Sequence, residues 1–244
     1  MKKILFVTLL CFFLCGCQVA QLTTLYNDET SVEENDIRVD ANHQPITGVY
    51  QKHSKKMRLL EEVQYVNGKP DGLYKAYSSK GYLMMNAHYK KGKLHGTTIT
   101  YYANGQEKEV LNYNKDKLDG SQIGYYKNGA LMYKKSYING KKNGIFTEFY
   151  PNNIVKSTIT YRNDKLHGPS RFYTNHKHLI NYTEYTKGLR EGPAFSYYPN
   201  EKPKVLSYRK KDKLDGVSKY FDKKGNLTEM ITYKNGDEIQ RVKF

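Results

Sequence analysis

A glycine recurs every 24 residues along most of this chain, and no other feature constrains its fold as strongly. The spacing is kept without an insertion or deletion at eight positions: Gly48, Gly72, Gly96, Gly120, Gly144, Gly168, Gly192 and Gly216. A fixed period of about 20–50 residues is typical of tandem arrays, in which small supersecondary units stack on their neighbours. The period therefore predicts an array of repeated modules.

Tyrosines follow the same period. With the glycine as position zero, position +17 is tyrosine in seven of the eight repeats: Tyr65, Tyr89, Tyr113, Tyr137, Tyr161, Tyr185 and Tyr233. In the seventh repeat the tyrosine comes one residue early, at Tyr208. We interpret this as a turn at 199–202 that is one residue short, compensated by a longer turn at 209–212. The pattern predicts that register matters at the glycine, whereas the turns vary.

Turn residues occur twice in each repeat. Positions +8 and +9 include Asn104-Gly105 and Asn128-Gly129, a strong signal for a two-residue hairpin turn in which both central residues have positive φ. Position +20 is always Gly or Asp, which also accept left-handed conformations. Between the turns lie runs of about six residues rich in Tyr, Thr, Ile and Phe, which favour β-strands. Two strands per repeat predict a continuous meander.

We therefore expect an all-β fold, namely an elongated, twisted, single-layer antiparallel meander of about eight β-hairpin repeats. Odd positions carry apolar or aromatic residues, such as Ile99 and Tyr101 on the first strand and Leu111 and Tyr113 on the second, whereas even positions such as Thr98 are polar. Because side chains alternate along a strand, this pattern predicts one aromatic face and one wet face. We also expect the +17 ring to cover the next recurring glycine.

The first residues have the pattern of an export signal. Lys2 and Lys3 precede an apolar run at 4–14, which is too short to span a bilayer but has the length of a signal-peptide core. The following Leu14-Cys15-Gly16-Cys17 resembles the lipobox of bacterial lipoproteins. That resemblance implies cleavage before Cys17 and acylation of this residue. An ordinary secretory leader with a coincidental cysteine is the alternative.

The lipobox resemblance implies a location in the cell envelope, with the chain held on a membrane by its N-terminal lipid. Gln18 after the cysteine favours the outer membrane if the host has one. All three cysteines, Cys11, Cys15 and Cys17, lie within the first 17 residues, so the mature domain is expected to have no disulfide. Its stability therefore depends on packing and backbone pairing.

The segment between the leader and the array is acidic. Six carboxylates lie between residues 28 and 40, where Arg38 is the only cation. This composition predicts a flexible spacer, so the expected domains are a signal peptide at 1–16, an acidic tether at 17–43 and the repeat array at 44–244. The alternative is an irregular N-terminal cap, to which Ile37 and Val39 add an edge strand.

The repeat itself resembles a known motif. The segments Tyr89–Gly96 and Tyr161–Gly168 are similar to the second half of a MORN repeat, and the longer unit resembles the variant found in bacterial YwqK-type proteins, often described as antitoxin components. Standard MORN repeats have Trp where this chain has Tyr, which favours the variant family. The resemblance implies non-enzymatic binding or neutralisation of a partner, and it supplies no catalytic residues.

The sequence contains few signals of catalysis. It has no nucleophile elbow, no phosphate-cradling loop and no paired-carboxylate cleft, so we expect no enzymatic activity and no cofactor. His176 and His178 form at most half of a metal site, because no further ligands occur at fixed spacing. His95 and His167 are expected to be turn residues. Most of the tyrosines are expected to be structural, and some exposed ones could stack on sugars or on a partner.

The net charge of +16 is the remaining functional signal. Removal of Lys2 and Lys3 with the leader would leave +14, spread over turns such as 115–117 and 210–213. For an exported protein, nucleic acid is not the expected target, whereas an acidic protein or an anionic envelope polymer fits a dispersed basic surface. Solubility alone is the alternative role for this charge.

Two functions follow from these observations. The first is a membrane-anchored lipoprotein whose non-catalytic array is a protein- or envelope-binding scaffold. The second is a YwqK-type antitoxin or immunity protein that neutralises a toxin acting at the envelope. An enzyme is the third and least favoured class. The sequence does not identify the residues that contact the partner.

Overall fold

The computed structural model describes residues 24–244, which form strands and turns without a helix. The predicted signal peptide at 1–16 and the predicted lipidation site Cys17 lie outside the described residues. No helix long and apolar enough to cross a bilayer occurs in the described part of the chain.

Twenty-three strands follow one another along residues 24–244. They are β1 (Leu25–Tyr26), β2 (Ser31–Glu34), β3 (Ile37–Asp40), β4 (Gly48–His53), β5 (Leu59–Val66), β6 (Lys69–Tyr77), β7 (Leu83–Lys90), β8 (Lys93–Leu94), β9 (Gly96–Tyr101), β10 (Glu107–Asn114), β11 (Lys117–Tyr125), β12 (Leu131–Ile138), β13 (Lys141–Lys142), β14 (Gly144–Phe149), β15 (Val155–Arg162), β16 (Lys165–Tyr173), β17 (Leu179–Thr186), β18 (Leu189–Tyr197), β19 (Pro203–Lys210), β20 (Lys213–Leu214), β21 (Gly216–Phe221), β22 (Leu227–Lys234) and β23 (Asp237–Lys243).

The described residues divide into two compact units. The first runs to Glu107 and includes Tyr113–Asp116, and the second comprises Lys108–Asn112 and Lys117–Phe244. In both units consecutive strands pair antiparallel, as β5 does with β6 and β17 does with β18. The two-residue strand β1 instead pairs parallel with β4. The predicted fold class, an all-β meander of consecutive hairpins, is confirmed.

Each repeat has one long hairpin whose register is set at the recurring glycine. Gly144 on β14 pairs with Tyr161 on β15, and the corresponding pair recurs at Gly168 and Tyr185. On its other side, β15 meets β16 through a bulge, where Ile159 and Tyr161 are opposed by residues 170 and 166. Residues 167–169 of β16 therefore lie opposite the single residue Thr160, so β16 has two extra residues here. A bulge bends the strand and requires unusual backbone angles.

Backbone conformation explains why glycine recurs. Seven of the eight glycines have φ between +91° and +114°, and the value at Gly168 is +94°. L-residues rarely adopt this region, whereas glycine does so without a steric cost. The predicted ring cover is not found at Gly144 or Gly216, because a Cβ at Gly144 would meet only Ser136 atoms within 4 Å and one at Gly216 would meet nothing. A ring does cover a different glycine, since a Cβ on Gly124 would overlap the ring of Tyr133.

The predicted faces are wrong for the first strand of each repeat. Because position 0 pairs with +17, even positions of the first strand share a face with odd positions of the second. Phe146 at +2 accordingly pairs with Ile159 at +15, and Thr98 at +2 is 4% exposed rather than wet. We call this face, which holds the +17 tyrosines, the tyrosine face. In the repeat at Gly144 it comprises Phe146, Glu148, Ser157, Ile159, Tyr161 and Leu166.

The turns also differ from the prediction. At +8 and +9, only the second residue has positive φ, and Gly105 is an example at 85°. Its N–H donates to the carbonyl of Tyr102, and the N–H of Tyr102 donates to the carbonyl of Gln106, so the loop has three residues. Both central residues have positive φ at +19 and +20, as at Asn139 (50°) and Gly140 (80°). The type I′ geometry therefore belongs to this second turn.

The seventh repeat contains no shortened turn. The N–H of Tyr198 donates to the carbonyl of Lys202, the same four-residue span as in the other repeats. Gly192 consequently pairs with Arg209, which occupies position +17, and Tyr208 at +16 points to the opposite face with 48% of its surface exposed. Arginine has replaced tyrosine in this repeat without a change of register.

The segment before the array is ordered into strands where the structure describes it. β2 and β3 form a hairpin, and Val39 in it is 2% exposed. The N–H of Arg38 donates to the carbonyl of Gly68 at 2.8 Å, and Ile46 donates to the carbonyl of Arg38. Residues 24–43 thus differ from the predicted flexible tether and fit the alternative of an N-terminal cap. Bonding to the exposed backbone of the first repeat explains the difference, because it satisfies groups that would otherwise lie at an open end.

Candidate binding surfaces

The type I′ turns of successive repeats are joined by hydrogen bonds. The N–H at position +20 donates to the carbonyl at +22 of the preceding repeat, at 2.7 Å for Gly140 and Leu118 and at 3.0 Å for Asp164 and Lys142. Where +20 is aspartate, its carboxylate also accepts the N–H of that +22 residue, at 2.8 Å for Asp164 and Lys142. This explains why +20 is either Gly or Asp.

A second acidic position binds the next turn. Asp215 and Glu191, both at +23, accept the N–H of the +19 residue one repeat later, at 3.2 Å and 2.8 Å. His167 at +23 accepts in the same way from the N–H of Lys187, at 3.5 Å. This position agrees with the prediction that His167 is a turn residue. Most of the acids at these turns are thus directed towards backbone N–H groups rather than towards solvent.

Lysines at the same turns point outwards. Position +21 is an exposed lysine in most repeats: Lys69 and Lys93 in the first unit and Lys117, Lys141, Lys165 and Lys213 in the second. We call the four in the second unit the lysine row. The stems of Lys117 and Lys213 lie 3.6–3.8 Å from the Cβ position of the +20 glycine of the next repeat, which directs them along the turns. Successive members one repeat apart are separated by about two strand spacings, or roughly 10 Å.

The opposite row of turns is held together by tyrosines. Tyr126, Tyr150 and Tyr198 at position +6 donate their hydroxyl protons to the carbonyl at +5 of the next repeat, at 2.8–2.9 Å. Three turns of this row, 102–106, 150–154 and 198–202, carry no net charge. The positive charge is therefore more regular along the type I′ turns than along these turns.

The tyrosine face of the second unit carries a patch of rings and lysines. Phe146 lies between Tyr137 and Tyr161, with ring centroids 5.4 and 4.7 Å away. The Lys142 ammonium lies 5.0 Å from the centre of the Tyr161 ring, within the range of a cation–π contact. With Lys135 and Glu148, these residues line a shallow depression of about 210 Å³. We call this surface the ring patch.

A polar cluster adjoins the ring patch. The Tyr133 hydroxyl donates to the carboxylate of Glu109 and lies 3.2 Å from the amide nitrogen of Gln122. Burial and the Glu109 carboxylate raise the pKa of Tyr133. The Lys135 ammonium lies 4.1 Å from the centre of the Tyr133 ring. These groups contact one another, so the cluster holds the Tyr133 ring and Lys135 at the rim of the patch.

The structure locates the remaining predicted residues as follows. The +17 tyrosines, from Tyr65 to Tyr233, lie on the tyrosine face, and the recurring glycines lie at the bulges. The rings of His176 and His178 are 6.2 Å apart, and His178 Nε2 is 3.0 Å from a carboxylate oxygen of Glu201. Within residues 24–244, no group of three or more His, Cys, Asp or Glu side chains is arranged to hold a metal ion.

Sequence reasoning missed two sets of residues that shape these surfaces. The +6 tyrosines were not distinguished from the +5 rings beside them, although Tyr102, Tyr126, Tyr150 and Tyr198 recur with the period. The acids at +20 and +23 were also missed as hydrogen-bond acceptors for the neighbouring turns. Their alternation with glycine and histidine was the available signal, but their hydrogen-bond partners lie 20–22 residues away.

Comparison with protein families gives one match. The family described as "MORN repeat variant" matches four segments, at residues 94–115, 118–139, 142–163 and 214–235. The matched segments cover less than half of the chain. They show that the array contains repeats of the MORN variant type, as the resemblance implied. Comparison with curated proteins gives no match.

Two solved structures are similar to much of the chain. They are described as TcdB2-TccC3 without its hypervariable C-terminal region and as TcdB2-TccC3-Cdc42, and they cover 74% and 75% of this chain at 13% and 14% identity. The chain spans 11% of each of those chains, and the TM-score is 0.23 in both cases. A likeness at this level supports no argument about fold or function.

Proposed function

We propose that this chain is a lipid-anchored scaffold of the cell envelope, without catalytic activity, that binds an anionic envelope polymer or an acidic protein through the lysine row. The supporting observation is that acidic and basic side chains at the type I′ turns have different surroundings. Carboxylates at +20 and +23 accept backbone N–H groups, whereas the lysines at +21 are exposed. A repeating row of cations is complementary to a partner that carries repeated negative groups.

The repeat architecture supports a binding role. In a stacked array each module presents the same positions at a regular spacing, which produces an extended surface instead of a single cleft. The family match supports a repeat scaffold, and the choice of an envelope partner comes from the lipobox resemblance at Leu14–Cys17 and from the net charge of +16. Nucleic acid is not part of this proposal.

The binding test uses charge-matched variants of the full chain. One variant replaces the lysine row, Lys117, Lys141, Lys165 and Lys213, with glutamine. The control replaces four exposed lysines of the opposite turns, Lys127, Lys177, Lys202 and Lys223, with glutamine. Both variants lose the same charge. Sedimentation with isolated envelope material at increasing salt should show at least about tenfold weaker binding for the first variant alone, because several exposed ion pairs are lost together.

Each other outcome has a defined meaning. Equal loss in both variants would show that only net charge matters, and retention in both would show that the lysine row is not the contact surface. Either result contradicts the proposal. Equal capture by anionic vesicles and by wall polymer would redirect it to a general polyanion surface. Stoichiometric capture of a single toxic protein from envelope extract would favour the antitoxin or immunity function instead.

The anchor is tested separately. Labelled palmitate should be incorporated into the chain and lost in Cys17→Ser, which should also move the protein from the membrane to the soluble fraction, since acyl chains supply about 0.8 kcal/mol per buried CH₂. In a host with two membranes, the wild-type chain should fractionate with the outer one. Membrane retention of the unlabelled variant would contradict the proposed anchor.

A further inference from the structure

One place on the tyrosine face departs from the repeat in two positions at once. Positions +22 of one repeat and +17 of the next are neighbours there, and in most repeats they are an apolar residue and a tyrosine, as at Leu166 and Tyr185. At Lys142 and Tyr161 a cation lies against the ring. At Arg190 and Arg209 both residues are arginine.

The two arginines lie close together on adjacent strands. Arg190 on β18 pairs with Tyr185, and Gly192, two residues further along β18, pairs with Arg209 on β19. Both arginines are half-buried. Burial lowers the pKa of Arg209 most strongly, and the positive charge of Arg190 lowers it further. Two like charges in a half-buried place are unfavourable unless negative charge accompanies them.

One residue of the next turn holds both side chains. The Asp212 carboxylate accepts from Arg190 Nε at 3.0 Å and from the Arg190 backbone N–H at 3.0 Å, and the Asp212 carbonyl accepts from Arg209 Nη1 at 2.9 Å. These bonds use one side-chain N–H of each guanidinium, and each guanidinium has five. One carboxylate also balances only one of the two positive charges.

We propose that Arg190 and Arg209, oriented by Asp212, form a binding site for an oxoanion group such as a phosphate or a carboxylate. Planar guanidinium groups bind such groups with two parallel hydrogen bonds, which gives arginine its preference for these ligands. An oxoanion here would supply the missing negative charge. The site is separate from the lysine row and goes beyond the binding proposed for it.

The test uses inorganic phosphate and the full chain. The Nε–H signals of Arg190 and Arg209 should shift saturably in nuclear magnetic resonance spectra as phosphate is added, and not with potassium chloride at the same ionic strength. Acetate in a parallel titration shows whether a carboxylate is also accepted. Arg209→Tyr should bind phosphate at least about tenfold more weakly, because it removes one of the two guanidinium groups.

The variant is chosen so that a folding defect is not mistaken for a loss of phosphate binding. Arg209→Tyr restores the residue found at +17 in the other seven repeats, and Arg190→Leu with Arg209→Tyr reproduces the pair at Leu166 and Tyr185. Both should keep the strand spectrum of the parent. The variant lacking the lysine row should bind phosphate normally, so failure of one proposal leaves the other intact. Equal shifts with chloride, or unchanged phosphate binding in Arg209→Tyr, would overturn the site.

Discussion

The tyrosine face is closed by residues from outside the array in the first repeat of the first unit, whereas at the ring patch of the second unit it lines an open, shallow depression. In the first repeat, Tyr50 and Val63 are 2% and 3% exposed, and they pack with Ile46 at 1%. The guanidinium of Arg38 lies 3.8 Å from the centre of the Tyr50 ring. At the ring patch the corresponding ring, Phe146, is 7% exposed and packs between Tyr137 and Tyr161, and these two flanking rings are half-exposed.

The two regions use the same repeat positions, +2 and +17, so the repeat does not decide the difference. The covering residues in the first unit come from the segment before the array, in which Arg38 is held by Ser31 at 3.3 Å and lies 3.9 Å from Asp28. The comparison teaches that one row of rings can be enclosed in a core or can line a shallow surface depression, depending on non-repeat residues. Four experiments test this contrast.

The largest expected effect is the loss of packing under the N-terminal segment. Ile46→Ala should reduce the free energy of unfolding by about 2–4 kcal/mol, because a buried aliphatic side chain leaves a cavity. The matched control is Ile145→Ala in the second unit, where the side chain is 60% exposed and the change should be within about 0.5 kcal/mol. Urea denaturation of the full chain measures both. Equal small effects would mean that the first repeat is not closed.

The second comparison concerns the cations over the rings. Arg38→Ala should cost about 1–3 kcal/mol, because it removes a buried cation–π contact and hydrogen bonds that hold the hairpin β2–β3. Lys142→Ala should cost only about 0.5–1 kcal/mol, since the half-buried Lys142 lies 5.0 Å from the centre of the Tyr161 ring, a longer contact than that of Arg38 with Tyr50. The same denaturation experiment applies. A larger effect at Lys142 would reverse the assignment of closed and open regions.

A third experiment tests a feature that should be the same in both units, namely the glycine at the bulge. Gly96→Ala in the first unit and Gly168→Ala in the second force alanine to φ values of +93° and +94°. The nearest side-chain atoms leave ordinary space at both sites, so strain dominates and each should cost about 1–3 kcal/mol. Thermal unfolding of both variants provides the measurement. Clearly unequal losses would show that the bulge is not equivalent in the two units.

The smallest effect is a dependence on high pH. Burial and the nearby Glu61 raise the pKa of Tyr74 to about 12, from 10.0. Because the folded-state pKa exceeds that of the unfolded chain, the protonated ring contributes stability that is present below pH 10.0 and lost as the pH rises to about 12. Tyr74→Phe should flatten the decline in stability over this range. An unchanged slope would show that Tyr74 titrates normally.

Much of this fold could be predicted from local signals. The glycine period, the turn residues and the strand composition are all properties of short segments, and together they gave the hairpin array. The register between neighbouring strands, which decides which residues pair, was not predictable in the same way. The assignment of Thr98 to the wet face failed for this reason. Whether a residue has an odd or even position in its own strand does not reveal which residue of the next strand pairs with it.

The candidate surfaces were less predictable than the fold. Tyr208 was interpreted as evidence of a shortened turn, because the sequence alone does not distinguish a shift of register from a substitution. The hydrogen bond from Tyr198 to Lys202 shows the usual turn, so Arg209 is a true replacement of the +17 tyrosine. The acids at +20 and +23 could be located, but their partners belong to neighbouring repeats.

The sequence by itself determined the repeat length, the strand-and-turn order and the need for glycine at fixed points, because these depend on backbone preferences of single residues. Only the tertiary structure decided which positions share a face, which rings are covered and which charges remain exposed. Those outcomes depend on pairing between strands and on contacts from residues outside the repeat. Side chains such as Phe146 and Tyr50 therefore have the same repeat position and different surroundings.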